Sequence, residues 1–384
     1  MRRRTFMHLT GALGLGWTLP GWAAADTGRT LVLLHLKGAN DGLNTLIPFD
    51  NDDYKKLRPK IALPKSEAIE MGDSAVGPLG LHQRMAALDA SFNNDLAVLP
   101  GVGYPSQNRS HFKSVKLWAT GSDGIRANRK GWLVDAVERQ FAAESIELHG
   151  ASLDGSLEVF RAGNGRYLSM ARLSQLTGLN VSKSMEQSNG LLNLVQNRTQ
   201  TLSETSQALE AKLSRARRLP VRMPHGELSA QLTEVIRLIS SGARVPVMHV
   251  TLDGFDTHEG QLWRHPRLLE ELSQSLAAFR QNLIRLGHWD ETLLMTYAEF
   301  GRRAGENGSE GTDHGTANTH FVMGGKVRGG MYGEHPRLDR LEDGDMVHSM
   351  DYRAIYQTIS SHWWGDPLAW AEYSDPRLAG LLRV

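Results

Sequence analysis

The sequence contains no cysteine among its 384 residues. This absence excludes disulfides, a cysteine nucleophile and a metal site built from thiolates. The chain also lacks an excess of charge, with 43 basic and 42 acidic residues, so the composition indicates no nucleic-acid-binding surface. Beyond the N-terminus there is no uninterrupted apolar run of about 18 residues, which argues against a stable membrane span. The 40% of hydrophobic residues is enough to form a sizeable core.

The first 25 residues, MRRRTFMHLTGALGLGWTLPGWAAA, have a basic start, a short apolar middle and an end of three alanines. This pattern is typical of a cleaved export signal, and the stretch RRTFM at residues 3–7 resembles the twin-arginine signal. The alternative is a basic, disordered N-terminus. Because the twin-arginine pathway exports folded proteins, the lack of cysteine agrees with this route. We therefore expect the twin-arginine export machinery as a partner, and a periplasmic or secreted mature protein that forms a single domain over residues 26–384.

Five apolar runs, each ended by glycine, proline, asparagine or aspartate, are typical of buried strands. They lie at residues 30–36, 95–105, 245–258, 291–301 and 320–325. Strands of this kind that alternate with helices predict an α/β fold, in which a mostly parallel sheet carries helices on both faces.

Amphipathic helices are predicted between these strands from apolar residues at three- and four-residue spacing. They cover residues 228–239, 268–286 and 352–359, and the second is expected to begin after Pro266 and to end at Gly287. Residues 160–225 are more polar and contain a predicted long helix at 191–213. We interpret this region as an insertion or cap on the core.

Polar side chains follow each of the first four predicted strands. In an open parallel sheet, ligands bind beyond the carboxyl ends of the strands, so these side chains are expected to share one edge. In chain order the candidates are Asp41, then Arg109, Ser110 and His111, then Asp253, Asp256 and His258, then Glu299, Asp313, His314 and His320.

Carboxylates and imidazoles without thiolates are the ligands of Zn²⁺, Mn²⁺ and Mg²⁺. One or two such ions can hold the attacking and leaving oxygens of a phosphoryl or sulfuryl transfer. The sequence therefore predicts a divalent metal cofactor and a small anionic ester as substrate.

Ser110 stands at the predicted start of a helix, where backbone N–H groups and the helix dipole stabilise negative charge. It is the candidate nucleophile, and Arg109 could hold the anionic oxygens of an ester with its guanidinium. Each feature also has a structural interpretation: Ser110 could serve only as an N-cap, Asp41-Gly42 only as a turn, and His314 only to bind a backbone carbonyl.

Three segments resemble a family of bacterial proteins with twin-arginine signals, the domain of unknown function 1501. The segments are NRSHFKSVKLWATG at 108–121, LDGFDTHEGQ at 252–261 and AEFGRRAGENGSEGTDHG at 298–315. The resemblance covers nearly the whole mature chain. That family is related to the alkaline phosphatase and sulfatase superfamily, which implies an alkaline-phosphatase-like α/β fold, a site for two metal ions and a serine, threonine or formylglycine nucleophile.

Some positions depart from the pattern of that superfamily. Asp41-Gly42 is similar to its opening metal-binding Asp-Gly, but Glu299 and Phe300 stand where it has aspartate and histidine, and phenylalanine cannot bind a metal. Counting back from Trp118, the position of the nucleophile falls on His111, one residue beyond Ser110. The absence of cysteine also excludes a formylglycine derived from cysteine.

The resemblance and the clustered acids and histidines together predict an exported metal-dependent hydrolase or transferase of a phosphate or sulfate ester, with Ser110 as nucleophile. A second hypothesis is a periplasmic binding or assembly protein that keeps the fold with an altered or absent metal site. A third keeps the catalytic site and assigns a phosphohistidine to His111.

Overall fold

The computed structural model describes residues 28–125, 130–141, 145–176, 190–366 and 370–383. The predicted export signal, residues 1–25, lies outside these described residues. The strands of the described part are β1 (Thr30–Lys37), β2 (Leu46–Ile47), β3 (Ala68–Ser74), β4 (Gly77–His82), β5 (Leu96–Gly103), β6 (Gly150–Ser152), β7 (Tyr167–Ser169), β8 (Val247–Asp253), β9 (Thr292–Tyr297), β10 (Asn318–Gly324), β11 (Gly330–Met331), β12 (Leu341–Glu342), β13 (Asp345–Met346) and β14 (Met350–Asp351). The α-helices are α1 (Asp52–Leu57), α2 (Asp89–Phe92), α3 (His111–Thr120), α4 (Trp132–Gln140), α5 (Gly190–Leu213), α6 (Glu227–Ser240), α7 (Gln261–Leu286) and α8 (Tyr352–Thr358).

Nine of these strands form one large sheet in the order β11-β5-β10-β9-β1-β8-β6-β7, with β14 also paired to β5. The central strand, β1, pairs in parallel with both β8 and β9. Strand β10 is antiparallel to both of its neighbours, β5 and β9. Two small sheets, β2-β4-β3 and β12-β13, lie outside the large one. The predicted α/β fold with a mostly parallel sheet is therefore confirmed.

The side chains of β1 alternate between two hydrophobic cores, as the period of a strand requires. Val32, Leu34 and Leu36 pack in the core that includes α6 and α7. Leu31 and Leu33 pack in the core that includes α3, α4 and α8. The helices thus cover both faces of the sheet, as predicted. Burial on both faces explains why the run is continuously apolar rather than alternating.

The direction of β10 places the glycine-rich segment at one edge of the sheet. Strand β9 ends at Tyr297 and β10 begins at Asn318. Because the two strands are antiparallel neighbours, the connection 298–317 leaves and rejoins the sheet at the same edge. The parallel strands β1 and β8 also end there. The candidate residues that follow these strands therefore share one region of space.

Helix α7 begins six residues earlier than the sequence predicts, at Gln261 rather than after Pro266. Proline lacks the backbone N–H that would bond within the helix, so a start beyond it is the usual expectation. Here the first turn is held from outside the helix, since the backbone N–H of Gln261 donates to the carbonyl of Glu310 at 3.0 Å. The predicted end at Gly287 is confirmed, and this glycine adopts the left-handed conformation that commonly closes a helix.

The predicted long helix at 191–213 is confirmed as α5 (Gly190–Leu213). The interpretation of residues 160–225 as an insertion or cap stays a prediction. No helix in the described part of the chain combines the length and hydropathy needed to cross a membrane.

Candidate metal centre

Four side chains from three segments meet beyond the carboxyl ends of the parallel strands. His111 is the first residue of α3, Asp256 and His258 follow β8, and His314 lies in the loop between β9 and β10. His314 Nε2 lies 3.2 Å from His111 Nε2, 2.9 Å from His258 Nε2 and 3.2 Å from Asp256 Oδ1. Asp256 Oδ1 also lies 3.2 Å from His258 Nε2 and 3.7 Å from His111 Nε2. We call these four residues the His/Asp cluster.

Each histidine of the cluster is also hydrogen-bonded through its other ring nitrogen, Nδ1. The partners are carboxylate or carbonyl oxygens, which can only accept, so we assign the proton to Nδ1 in all three rings. Each Nε2 is then left with a lone pair, and this second hydrogen bond is typical of metal-binding histidines. The acceptors are Glu299 Oε1 for His111 at 3.3 Å, Asp313 Oδ1 for His258 at 3.1 Å and the Arg109 carbonyl for His314 at 2.9 Å.

This donor set fits a divalent metal ion. Lone pairs that face one another repel unless a cation lies between them. Zinc ligands lie about 2.0–2.1 Å from the ion, so neighbouring tetrahedral ligand atoms are about 3.3–3.4 Å apart. The separations from His314 Nε2 and Asp256 Oδ1 to the other ligand atoms, from 2.9 to 3.7 Å, lie on both sides of that value. His111, Asp256 and His314 each offer an atom within 4.8 Å of the other two, and His258 lies beside them.

Glu299 supports the centre without facing it. Its carboxylate is buried and accepts the backbone N–H groups of Gly38 at 3.1 Å and Ala39 at 3.0 Å, in addition to His111. Burial by itself raises the pKa of Glu299, but His35 and His111 outweigh it and hold that pKa well below its usual range. The role of metal ligand predicted for Glu299 is therefore not supported, because its oxygens are used to orient His111.

The surroundings of His314 and Asp256 favour the protonation states that metal binding needs. Burial, together with the guanidinium of Arg302, lowers the pKa of His314 and keeps its imidazole neutral. Burial also tends to raise the pKa of Asp256, but Arg302 reverses this effect and lowers it. In the absence of an ion, the hydrogen bond that His111 donates to Glu299 raises the pKa of His111. A neutral imidazole and an ionised carboxylate are the ligand forms of these groups.

The glycine-rich loop is a rigid support rather than a flexible linker. A Cβ atom at Gly311 would overlap the carbonyl group of His258, and one at Gly315 would overlap the backbone of Arg302. A Cβ atom at Gly301 would likewise overlap the carbonyl of Ala317. Glycine therefore lets the two arms of the loop pack against each other and against the segment that follows β8. This close approach brings His314 to the cluster.

Arg302, which the sequence did not point to, fixes the segments that carry the cluster. Its guanidinium is fully buried and donates to the carbonyls of Ala39 at 2.8 Å, Thr312 at 2.9 Å and Phe255 at 3.1 Å. It also donates to Asp256 Oδ1 at 2.5 Å. One planar group thus joins the ends of β1 and β8 to the glycine-rich loop.

Phe300, the residue that replaces an expected histidine ligand, packs against the cluster. Its ring centroid lies 4.9 Å from that of His111 and 4.7 Å from that of His314. A buried aromatic ring at this position restricts both imidazoles by contact and cannot donate to a metal.

Besides Glu299, four residues predicted as metal ligands lie outside the cluster. Asp41 is fully buried and ion-paired with Arg58 at 2.5 Å, because an unpaired charge at that depth would be costly. Asp253 is exposed and pairs with Lys37 at 2.5 Å across the rim of the sheet. His320 lies inside the sheet, where burial lowers its pKa to about 3. Asp313 contacts the cluster only through His258 Nδ1. Of the predicted metal ligands, Asp256, His258 and His314 are those that belong to the cluster.

Arg109 and Ser110 are close to the cluster through their backbone. The Arg109 guanidinium is ion-paired with Asp345, whereas its carbonyl accepts from His314 Nδ1. Ser110 occupies the N-cap position of α3, and its side chain makes no capping hydrogen bond. The predicted anion-binding role of Arg109 is therefore not supported by its side chain, which is engaged elsewhere.

A cavity of about 670 Å³ opens beside the cluster. Two of its lining residues, His111 and Asp256, belong to the cluster, and Glu299 lies next to them. Among the described residues that line it, α3 contributes His111, Phe112, Val115 and Lys116, and Ser110 is not one of them. Further lining residues are His35, Lys37, Asp154, His249, Asp253 and Tyr297.

One signal for this cavity is present in the sequence. His35 and His249 interrupt two strands that are otherwise apolar, TLVLLHLK and VMHVTLD. Both side chains are buried, at 5% and 2% exposure. An imidazole inside a buried strand needs a hydrogen-bond partner, so these two histidines indicate a polar site in this part of the sheet.

Comparison with solved structures gives similar chains at low identity. The lipoteichoic acid synthase LtaP from Listeria monocytogenes is 10% identical over 80% of this chain and 69% of that chain, with a TM-score of 0.37. A protein in the alkaline phosphatase superfamily from Vibrio parahaemolyticus is 11% identical over 80% of this chain and 62% of that chain, with a TM-score of 0.36. The PsFucS1 sulfatase from Pseudoalteromonas sp. is 12% identical over 92% of this chain and 72% of that chain, with a TM-score of 0.39. TM-scores this low leave the site and the activity to be argued from this chain's own residues.

Comparison with curated proteins gives no match. The sequence profile of one family, described as Protein of unknown function (DUF1501), matches residues 127–362, which is more than half of the chain. The matched range contains Asp256, His258 and His314 of the cluster, and His111 lies before it. The chain belongs to the DUF1501 family.

Proposed function

We propose that this protein is a metal-dependent hydrolase of a phosphate or sulfate ester, with one divalent ion held by the His/Asp cluster. The observation that carries the proposal is the contact of His314 Nε2 with two further imidazole Nε2 atoms and one carboxylate oxygen, at the edge of a cavity of about 670 Å³. Structural ion pairs do not require several unprotonated ring nitrogens to face one another. A metal centre does.

The ligands would be His111, Asp256 and His314, with His258 as the fourth. Three nitrogens and one oxygen suit Zn²⁺ or Mn²⁺ better than Mg²⁺, which prefers oxygen ligands. Glu299 and Asp313 would orient the rings of the cluster through their Nδ1 atoms. When bound, a divalent ion at this position supplies a Lewis acid for an ester oxygen and lowers the pKa of a coordinated water.

The surroundings of the cluster favour an anionic substrate at the metal and water as the attacking group. His111 begins α3, a ten-residue helix, so the positive end of the helix dipole lies at the cluster. Lys116 adds positive charge to the lining of the cavity, whereas the charge of Lys37 is paired with that of Asp253. Ser110 is absent from the described lining, which favours water over this serine. Attack by Ser110, which would also permit a transferase, is the second route, and the Ser110→Ala variant separates the two.

The first test is the metal content of the protein by elemental analysis, in the wild type and in the His314→Ala variant. We expect one equivalent of zinc or manganese in the wild type and its loss in the variant. His225→Ala serves as the matched control, because His225 is exposed and outside the cluster. Wild-type protein that takes up no metal after incubation with each ion would refute the proposal.

The second test is the turnover of an aryl phosphate, an aryl phosphodiester and an aryl sulfate by the metal-loaded protein. Hydrolysis of at least one of them, abolished in His314→Ala and retained in His225→Ala, is the expected result. A protein that binds the metal but hydrolyses none of the three would favour the alternative of a binding or assembly protein. That alternative is based on Phe300, which stands where a metal-binding histidine was expected.

A further inference from the structure

A second polar network lies in the same cavity and is not used by the metal centre. His249 Nε2 lies 3.1 Å from the Tyr297 hydroxyl, and His249 Nδ1 lies 3.2 Å from the Ser152 hydroxyl. The Ser152 hydroxyl donates to Asp154 Oδ1 at 2.5 Å, and Thr251 donates to Asp154 Oδ2 at 2.8 Å. These residues come from the ends of β6, β8 and β9. A chain of hydrogen bonds therefore runs from a carboxylate to a tyrosine hydroxyl.

The directions of these bonds follow from the chemistry of the groups. The Ser152 proton is used toward Asp154, so the Ser152 oxygen accepts from His249 Nδ1–H, and Nε2 is left to accept from Tyr297. Burial tends to raise the pKa of Asp154, but its bonds with His249 and Ser152 lower it, so it is ionised. Burial raises the pKa of Tyr297 well above its usual value, so this hydroxyl keeps its proton.

The network is adjacent to the metal centre. The Tyr297 ring stacks on His35, with 4.5 Å between ring centroids and 11° between planes. His35 Nε2 lies 3.3 Å from Glu299 Oε2, although the angles do not meet those of a hydrogen bond. Glu299 in turn accepts a hydrogen bond from His111 of the cluster. Tyr297, His249 and Asp154 line the cavity together with His111 and Asp256. An ester bound at the cluster would thus extend toward Tyr297.

A purely structural role does not explain why several polar groups are buried together here. His249 and Tyr297 are each 2% exposed, and Ser152 is fully buried. Apolar residues of similar size would fill the same sheet without the cost of burying several polar groups. Linked polar groups that line a cavity beside a metal centre are typical of functional sites.

We propose that Tyr297, supported by His249 and Asp154, donates a proton to the leaving oxygen of the ester. This proposal rests on the proposed ester hydrolysis. Tyr297 would be the catalytic residue, since its hydroxyl contacts the leaving group, whereas His249 and Asp154 act through it. The class of substrate that benefits is an ester of a weakly acidic alcohol, whose oxygen leaves poorly without a proton.

The proton transfers balance. The bond from phosphorus or sulfur to the leaving oxygen breaks as the oxygen of the attacking water forms a new bond on the opposite side. The leaving oxygen takes the Tyr297 proton, for which the Tyr297 hydroxyl turns from His249 Nε2 toward the ester, and Tyr297 then regains one proton from solvent in the cavity. That proton equals the one that the attacking water releases, and His249 keeps its single proton on Nδ1 throughout.

The test is a series of aryl esters of the group that the wild type hydrolyses, from 4-nitrophenyl to unsubstituted phenyl. Nitrophenolate leaves readily without a proton, whereas phenolate does not. For Tyr297→Phe, we expect kcat/KM to change by less than about threefold on the nitrophenyl ester and to fall by about 10²–10⁴-fold on the phenyl ester. Tyr54→Phe is the matched control, because Tyr54 is a buried, hydrogen-bonded tyrosine that is not part of the cavity lining.

Two further measurements separate a catalytic role from a structural one. Metal content of Tyr297→Phe should match that of the wild type within error, and its melting temperature should fall about as much as that of Tyr54→Phe, which also loses a buried hydroxyl. His249→Gln should show the same dependence on the leaving group as Tyr297→Phe and gives an independent reading if one variant folds poorly. In the wild type, ¹⁵N NMR of His249 should show the proton on Nδ1, and a proton on Nε2 instead would overturn the proposed direction of the network.

The outcomes distinguish this proposal from the one on which it rests. An active wild type with a Tyr297→Phe variant that is unaffected, or equally slowed on every ester, would overturn the role of Tyr297 and leave ester hydrolysis intact. A metal-loaded wild type that hydrolyses none of the esters would overturn both proposals together.

Discussion

His258 Nε2 and His314 Nε2 lie 2.9 Å apart, and the opposite nitrogen of each ring is hydrogen-bonded to an oxygen that can only accept. Two unprotonated nitrogens at this distance repel each other. Because a cation between them removes the repulsion and gains two ligands, the metal-loaded protein should be more stable than the metal-free protein. Several expectations follow from this pair and from the residues that hold it.

Zinc or manganese should raise the melting temperature of the wild type. An ion that binds only the folded state stabilises it by about 2.7 kcal/mol at a concentration 100 times its Kd. The shift should vanish in His314→Ala and persist in the control His225→Ala, as measured by differential scanning calorimetry with and without metal. An equal shift in His314→Ala would place the ion elsewhere on the protein.

Glu299→Gln should weaken metal binding by about 10- to 100-fold, because the hydrogen-bond acceptor that orients His111 loses its charge. Competition with a chelator of known affinity measures the change. Glu291→Gln is the matched control, since Glu291 is 56% exposed and distant in the fold from the cluster, beyond the opposite end of β9. Unchanged affinity in Glu299→Gln would show that His111 does not need this support.

Gly311→Ala should weaken metal binding and lower stability, because the added Cβ would overlap the His258 carbonyl and displace a ligand-bearing segment. Gly308→Ala in the same loop is the control, since no atom lies within 4 Å of a Cβ placed there. That variant should match the wild type or gain about 0.4–1 kcal/mol from the reduced freedom of its unfolded chain. Equal behaviour of the two variants would mean that the loop adapts and is not rigid.

Asp41→Asn should destabilise the fold by about 3–5 kcal/mol without removing the metal, because it leaves the buried guanidinium of Arg58 without its charged partner. Asp53→Asn should cost at most about 1 kcal/mol, since the Asp53–Lys56 pair is exposed. Denaturant unfolding and elemental analysis measure the two quantities. Loss of metal from a folded Asp41→Asn protein would restore Asp41 to the ligand set.

The stability that Asp41 provides should depend on pH in a defined direction. Burial alone would raise the pKa of Asp41, but Arg58 lowers it below its usual value. A carboxyl whose pKa is depressed by folding stabilises the protein fully above its unfolded pKa of about 3.9, and this contribution is lost as the pH falls through the folded pKa. The difference in unfolding free energy between wild type and Asp41→Asn should thus be constant near neutrality and shrink below about pH 4. A difference that grows with acidity would contradict this sign.

The sequence predicts only in part which candidate residues share a site. The apolar run of β1 and the spacing in α6 and α7 predicted their elements, because burial on two faces and an amphipathic face each leave a periodic pattern. The same reasoning placed Asp256, His258 and His314 at one edge of the sheet. It could not distinguish them from Asp41, Asp253 and His320, which follow or begin strands at the same edge. What keeps Asp41 and Asp253 out of the cluster is the ion pair that each forms, with Arg58 and Lys37 respectively. No local sequence pattern shows that these partners lie nearby.

The sequence alone determined that thiolate chemistry is excluded, that strands and helices alternate, and that acids and histidines gather where the parallel strands end. Tertiary structure alone decided which of them face one another. Side-chain direction depends on close backbone approaches, such as that of Gly311 to His258, and on buried groups such as Arg302 that join distant segments. Such contacts form between residues far apart in the chain, so only the folded backbone determines where a lone pair points.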